Sequence, residues 1–126
     1  MRPINSGYDF ERTGILVQQD RLRIRLTECS CIPPKIHEFI MPDMISIGRR
    51  PENQVVIFDR TVSGRHCELF LEQNTIYARD LNSLNGTKLQ DKEALHDVAA
   101  ERKTQVTNGN ILILGKTKLE VRIFEN

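Results

Sequence analysis

The chemically capable residues of this 126-residue chain concentrate in three short stretches. Gly48-Arg49-Arg50 brings two guanidinium groups. Arg60-Thr61-Val62-Ser63-Gly64-Arg65-His66 brings two more, with hydroxyls and an imidazole. Asp80-Leu81-Asn82-Ser83-Leu84-Asn85-Gly86-Thr87 adds a carboxylate, amides and further hydroxyls. Between Arg49 and His66 four arginines stand against Glu52 and Asp59, although the whole chain carries only +1. Arginine forks, hydroxyls, an amide and glycine-exposed backbone N–H groups are the donors an anion receptor needs. A planar guanidinium grips phosphate through two parallel hydrogen bonds, a geometry that lysine does not offer.

Other chemistries fit these residues less well. Zinc takes about four ligands, and Cys29, Cys31, Cys67, His37, His66 and His96 show no paired spacing, so no metal is expected. No cofactor is expected either. Ser63 with His66 suggests a hydrolase pair, but no G-x-S-x-G elbow is present. His66 and Cys67 are adjacent, so on a strand they point to opposite faces and form no dyad. Asp80 has no partner carboxylate nearby and reads as a loop brace. A net charge of +1 gives no general attraction to nucleic acid or membranes. No apolar run approaches the roughly 20 residues that span a bilayer. Cys29 and Cys31 lie on a segment that alternates like a strand and point the same way. With an odd cysteine count and no secretory signal in residues 1–10, this favours reduced thiols inside the cell. The same reasoning sets aside Asn85-Gly86-Thr87 as a glycosylation sequon.

The elements that must position these loops read as strands. Residues 1–13 form a loose polar lead-in, and 14–126 a single domain. Met1 suggests a native N-terminus. Arg21 to Leu26 alternates strictly, the signature of a half-buried strand. Cys67–Leu71 and Thr75–Ala78 flank a polar turn, and Ile111–Leu114 and Leu119–Phe124 flank another. Asn85-Gly86 and Asn108-Gly109 signal tight turns. Residues 92–102, with Ala94, Leu95, Val98, Ala99 and Ala100, read as a short helical insertion. The whole is expected to be all-β, an antiparallel β-sandwich of two twisted sheets with loops converging at one end.

Gly48-Arg49, then Ser63-x-x-His66, then Asp80-x-x-Ser83-x-Asn85-Gly86-Thr87 resembles the forkhead-associated (FHA) domain. Asn108-Gly109-Asn110-Ile111-x-Ile113-x-Gly115 is similar to that family's late segment, with Asn110 where aspartate is usual. The likeness covers roughly residues 20–124. It implies a binding module, not an enzyme, that recognises phosphothreonine in a partner protein. The alternative is the same fold used as a phosphate-independent scaffold. By the resemblance, Arg49 pairs with phosphate, Ser63 hydrogen-bonds it, and Asn85 holds the peptide backbone, with Gly64, Arg65 and Leu84 beside them. Gly48, His66, Asp80, Gly86 and Thr87 brace the loops. Val62 and Leu84 are expected to wall a recess for the threonine methyl. Gly64 departs from the longer residue usual after the serine, and Arg65 or Arg60 is a candidate to compensate. A monomer, intracellular and nuclear rather than cytoplasmic, completes the expectation.

Overall fold

The computed structural model describes residues 21–125. The expected lead-in at 1–13, and residues 14–20 of the expected domain, lie outside them. Eleven strands run through the described residues: β1 (Leu22–Glu28), β2 (Lys35–Ile40), β3 (Met44–Gly48), β4 (Val55–Val56), β5 (Cys67–Glu72), β6 (Thr75–Asp80), β7 (Thr87–Gln90), β8 (Leu95–Val98), β9 (Thr104–Gln105), β10 (Ile111–Leu114) and β11 (Thr117–Glu125). They form a six-stranded sheet, ordered β2-β1-β11-β10-β7-β8, and a five-stranded sheet, ordered β4-β3-β5-β6-β9. All neighbours are antiparallel except β3 and β4, a short parallel pair that departs from the expected all-antiparallel pattern.

Alternation builds the sandwich. Leu22, Ile24 and Leu26 of β1 point inward beside Leu119 and Val121 of β11 and Leu112 and Leu114 of β10. From the other sheet Ile45, Ile47, Leu69, Ile76 and Ala78 complete the same core. The β5–β6 hairpin turns through Gln73 and Asn74, with φ of 51° and 62°. Both central residues in the left-handed region make the turn whose twist matches a hairpin.

Two expectations are corrected. Residues 92–102 contain no helix; they hold β8, paired antiparallel with β7 from Thr87↔Val98 to Gln90↔Leu95. Of the apolar residues there only Val98 is buried, and Leu95 is exposed, so a helix would have had no face to bury. Asp91 instead accepts from the N–H groups of Glu93 and Ala94 and turns the chain back onto β7. Cys29 and Cys31 are not on a strand, since β1 ends at Glu28 and both fall in the turn to β2.

Leu112 is completely buried at the centre of the six-stranded sheet. Leu112→Ala is expected to cost about 2–5 kcal/mol. A thermal melt followed by circular dichroism checks this: a Tm within a few degrees of wild type would mean that the two sheets do not share the core described.

Candidate functional site

The loops at one end of the sandwich are tied to one another before any ligand arrives. The 49–54 loop leaves β3 and the 57–66 loop enters β5. The 81–86 loop joins β6 to β7, and the Gly115–Lys116 turn joins β10 to β11.

His66 lies at the junction, fully buried. Its Nδ1 accepts a hydrogen bond from the Ser63 N–H at 2.9 Å, so the ring proton sits on Nε2, which donates to the Gly86 carbonyl at 2.9 Å. One neutral imidazole thus joins the Ser63 loop to the Asn85 loop. Because both ring nitrogens face backbone groups, His66 is not placed as a base for the Ser63 hydroxyl. Cys67 is no nucleophile either, since complete burial pushes its thiol far up.

Three consecutive residues, Thr61, Val62 and Ser63, then organise the ligand-facing side chains. The Ser63 carbonyl accepts from the Arg49 N–H at 2.9 Å, and the Val62 carbonyl accepts from Arg49 Nε at 2.9 Å. The guanidinium is thereby aimed, and its two terminal nitrogens have no partner among the described residues. The Thr61 carbonyl accepts from Asn85 Nδ2 at 2.8 Å, and Oδ1 has no partner among the described residues. Ser63 Oγ accepts from the Leu84 N–H at 2.9 Å, so the hydroxyl keeps its own hydrogen to donate outward. Two guanidinium nitrogens, one hydroxyl donor and one amide acceptor thus stand at one surface. An anion carrying an adjacent N–H is the chemistry they complement.

Two carboxylates hold the supporting turns. Asp80 accepts from the Ser83 hydroxyl at 2.6 Å, the Thr87 hydroxyl at 2.6 Å and the Ser83 N–H at 3.0 Å. Its burial pushes the pKa up, but these bonds outweigh that and hold it below the ordinary carboxylate range. Gly86 follows with φ +80°, a conformation that glycine takes without steric cost, and its N–H donates to Ser83 Oγ. Asp59 accepts from the Thr117 hydroxyl at 2.6 Å and from both the N–H and the hydroxyl of Thr61, which lowers its pKa. Thr61 Oγ1 in turn accepts from the Lys116 N–H.

The expected residues divide into groups. Arg49, Ser63, Leu84 and Asn85 come together, braced by His66, Asp80, Gly86 and Thr87. Gly48 is required by close approach: a Cβ there would lie 2.3 Å from the Gly64 carbonyl oxygen. Gly64 lies under the side chain of Arg50. Arg65 lines a groove together with Arg50. Val62 does not wall a surface recess; it is 1% exposed and belongs to the core, whereas Leu84 is 88% exposed. Asp59, Thr61, Thr117 and Asn53 are braces beyond those the motifs imply. Asn53 Nδ2 donates to both the Arg50 and Gly64 carbonyls. The spacing Asp59-x-Thr61 is a local side-chain turn pattern that could have flagged the first two, but nothing in sequence links Asp59 to Thr117.

A family model for the FHA domain matches residues 45–115. Among curated proteins, the chain is 36% identical over 74 residues to the glycogen accumulation regulator GarA of Mycobacterium tuberculosis, covering 59% of this chain and 41% of that protein. It is 26% identical over 115 aligned residues to a probable E3 ubiquitin-protein ligase, dma1, of Schizosaccharomyces pombe, covering 76% and 42%. It therefore spans about two fifths of the length of these relatives. Among solved structures, it matches an FHA domain from work on phosphothreonine-dependent FHA domain interactions with a TM-score of 0.63 and 25% identity, covering 81% of this chain and 95% of that one. The FhaA FHA domain, solved in complex with an intracellular domain, gives a TM-score of 0.61 and 26% identity, covering 80% and 99%.

Removing the His66 ring would orphan the Ser63 N–H and the Gly86 carbonyl, each costing about 1–3 kcal/mol. His66→Ala is expected to lower Tm by about 10 °C or more and to shift the amide resonances of both loops together. Shifts confined to one loop would contradict the joint. Asp59 and Asp80 have lowered pKa values, so the stability they contribute is present above the unfolded-chain value of about 3.9. It is lost as pH falls through their folded-state values. Tm is expected to fall below about pH 4, less steeply in Asp80→Asn. An equally steep acid limb in that variant would remove Asp80 from the account.

Proposed function

The chain belongs to the FHA domain family, and from that premise we propose that it recognises phosphothreonine in a partner protein through Arg49, Ser63 and Asn85, for signalling or complex assembly. The domain is a binding module. The observation that carries the reading is that the carbonyls of Thr61 and Val62 and the hydroxyl of Ser63 each fix one group of the site: the Asn85 amide, the Arg49 guanidinium and the Leu84 backbone N–H. A phosphate placed among them meets charge-assisted donors already oriented, so little side-chain entropy is lost on binding. Asn85 Oδ1, without a partner among the described residues, is suited to a backbone N–H of the bound peptide.

Free thiols at Cys29, Cys31 and Cys67 support an intracellular address. The likeness to mycobacterial chains leaves the nuclear expectation without support. Selectivity for phosphothreonine over phosphoserine is assigned to Leu84, since Val62 is internal. One buried methyl contributes about 0.8 kcal/mol, which corresponds to a preference of about fourfold.

Fluorescence anisotropy with a phosphothreonine peptide library tests the reading. Arg49→Ala is expected to weaken binding about tenfold or more while Tm holds. The phosphate's second pKa is about 6, so affinity is expected to decline as pH falls below it. An Arg49→Ala protein that binds as wild type does, or affinity level down to pH 5, would point to a phosphate-independent surface.

A further inference from the structure

Beside the Arg49 cluster runs a groove of about 260 Å³ lined by Ser46, Arg50, Glu52, Asn53 and Arg65. Most polar groups along it are already engaged. Asn53 donates both hydrogens of its amide nitrogen to the carbonyls of Arg50 and Gly64. Ser46 exchanges hydrogen bonds with Gln54 through its hydroxyl. The side chains of Arg50 and Arg65 are exposed and have neither an ion pair nor a hydrogen bond among the described residues. Glu52 lines the groove but pairs with neither. Two uncommitted guanidinium groups therefore face a single carboxylate.

The placing of Arg50 depends on Gly64. The stem of Arg50 crosses the α-carbon of Gly64 so closely that a Cβ there would lie 2.7 Å from Nε, 3.0 Å from Cγ and 3.1 Å from Cδ. A side chain at position 64 and Arg50 in this place exclude each other. The two backbones are also clamped, because the Arg50 N–H donates to the Gly64 carbonyl at 3.1 Å. Arg50 thus occupies the space next to Ser63 that a residue-64 side chain would have filled, and carries a cation into it.

We propose that Arg50 and Arg65 form a second anion subsite, which takes an acidic side chain of the same phosphothreonine partner. The inference rests on the phosphothreonine reading above. Arg50, which lines the groove, lies against Gly64, one residue from Ser63. Extended peptide advances about 3.3 Å per residue, so a carboxylate within about three residues of the phosphothreonine reaches it. Both arginines line one groove, so the proposal places the acid on one side of the phosphothreonine only. A carboxylate and a second phosphate share the required charge.

The test measures Kd for peptides in which a single aspartate, or a single phosphoserine, is walked through three positions on each side of the phosphothreonine, against a neutral-flank peptide. The readout is the ratio of neutral-flank to acidic-flank Kd. Wild type is expected to give a ratio of about three to ten at positions on one side. Arg50→Gln is expected to bring that ratio close to one, and Gly64→Ala to lower it by displacing the Arg50 stem. The aspartate and phosphoserine arms show which anion the groove prefers. A wild-type ratio of one everywhere, or a ratio unchanged in Arg50→Gln, overturns the subsite. Failure of the neutral-flank peptide to bind would instead sink the phosphothreonine reading. In that event an unphosphorylated acidic peptide still decides the subsite, by whether it moves the Gly64 and Asn53 amide resonances in wild type and not in Arg50→Gln.

Discussion

A buried, neutral imidazole is the constraint on which the binding end of this protein depends. His66 starts the chain's return into β5 and has no contact with solvent. Each ring nitrogen is matched to a backbone group in a different loop. In water such bonds would exchange with solvent at little net gain. In the dry junction a missing partner leaves a polar group unsatisfied, so the two loops are held to one relative position. The backbone of residue 66 extends the same joint, since its N–H donates to the Ile47 carbonyl and its carbonyl accepts from the Leu81 N–H.

Around that joint, short side chains replace what regular secondary structure would otherwise supply. Asp80 gathers Ser83 and Thr87; Asp59 gathers Thr61 and Thr117; Asn53 gathers Arg50 and Gly64. Each brace has few rotatable bonds, so little side-chain entropy is lost in ordering it. The side chains of Arg49, Arg50 and Arg65 are left outside the braced layer, and their terminal nitrogens have no partner among the described residues. Structural rigidity and ligand chemistry are thus carried by different residues, and the same loop carbonyls that shape the backbone aim Arg49 and Asn85.

The departure at Gly64 shows how a local loss can be balanced across loops. Without a side chain at that position, the surface next to Ser63 would be bare. Arg50, fourteen positions earlier, crosses the space. Arg65 and Arg60, which sequence proximity suggests, do not cross it: Arg65 lines the groove with Arg50, and Arg60 makes no side-chain hydrogen bond or ion pair among the described residues.

Alternation in β1, β5, β6, β10 and β11 was legible in the chain because a sandwich strand with one buried face must place its apolar residues at every second position. The three loops were legible for a related reason: arginine, serine, asparagine and glycine clustered between strands have no core to fill. The sequence thereby determined the all-β class, the sandwich and the residues available for chemistry. Residues 92–102 were misread because alanine and leucine spacing alone does not say whether a neighbouring strand edge is open, and β7 offered one. Val62 was misplaced because sequence adjacency to Ser63 does not tell which way a loop residue points. The Asp59–Thr117 bond, the His66 tautomer and the crossing of Arg50 over Gly64 join residues far apart in the chain or turn on distances of a few tenths of an ångström. Only the packing of one loop against another decides such contacts, because a hydrogen bond or a close approach depends on positions that no local pattern encodes.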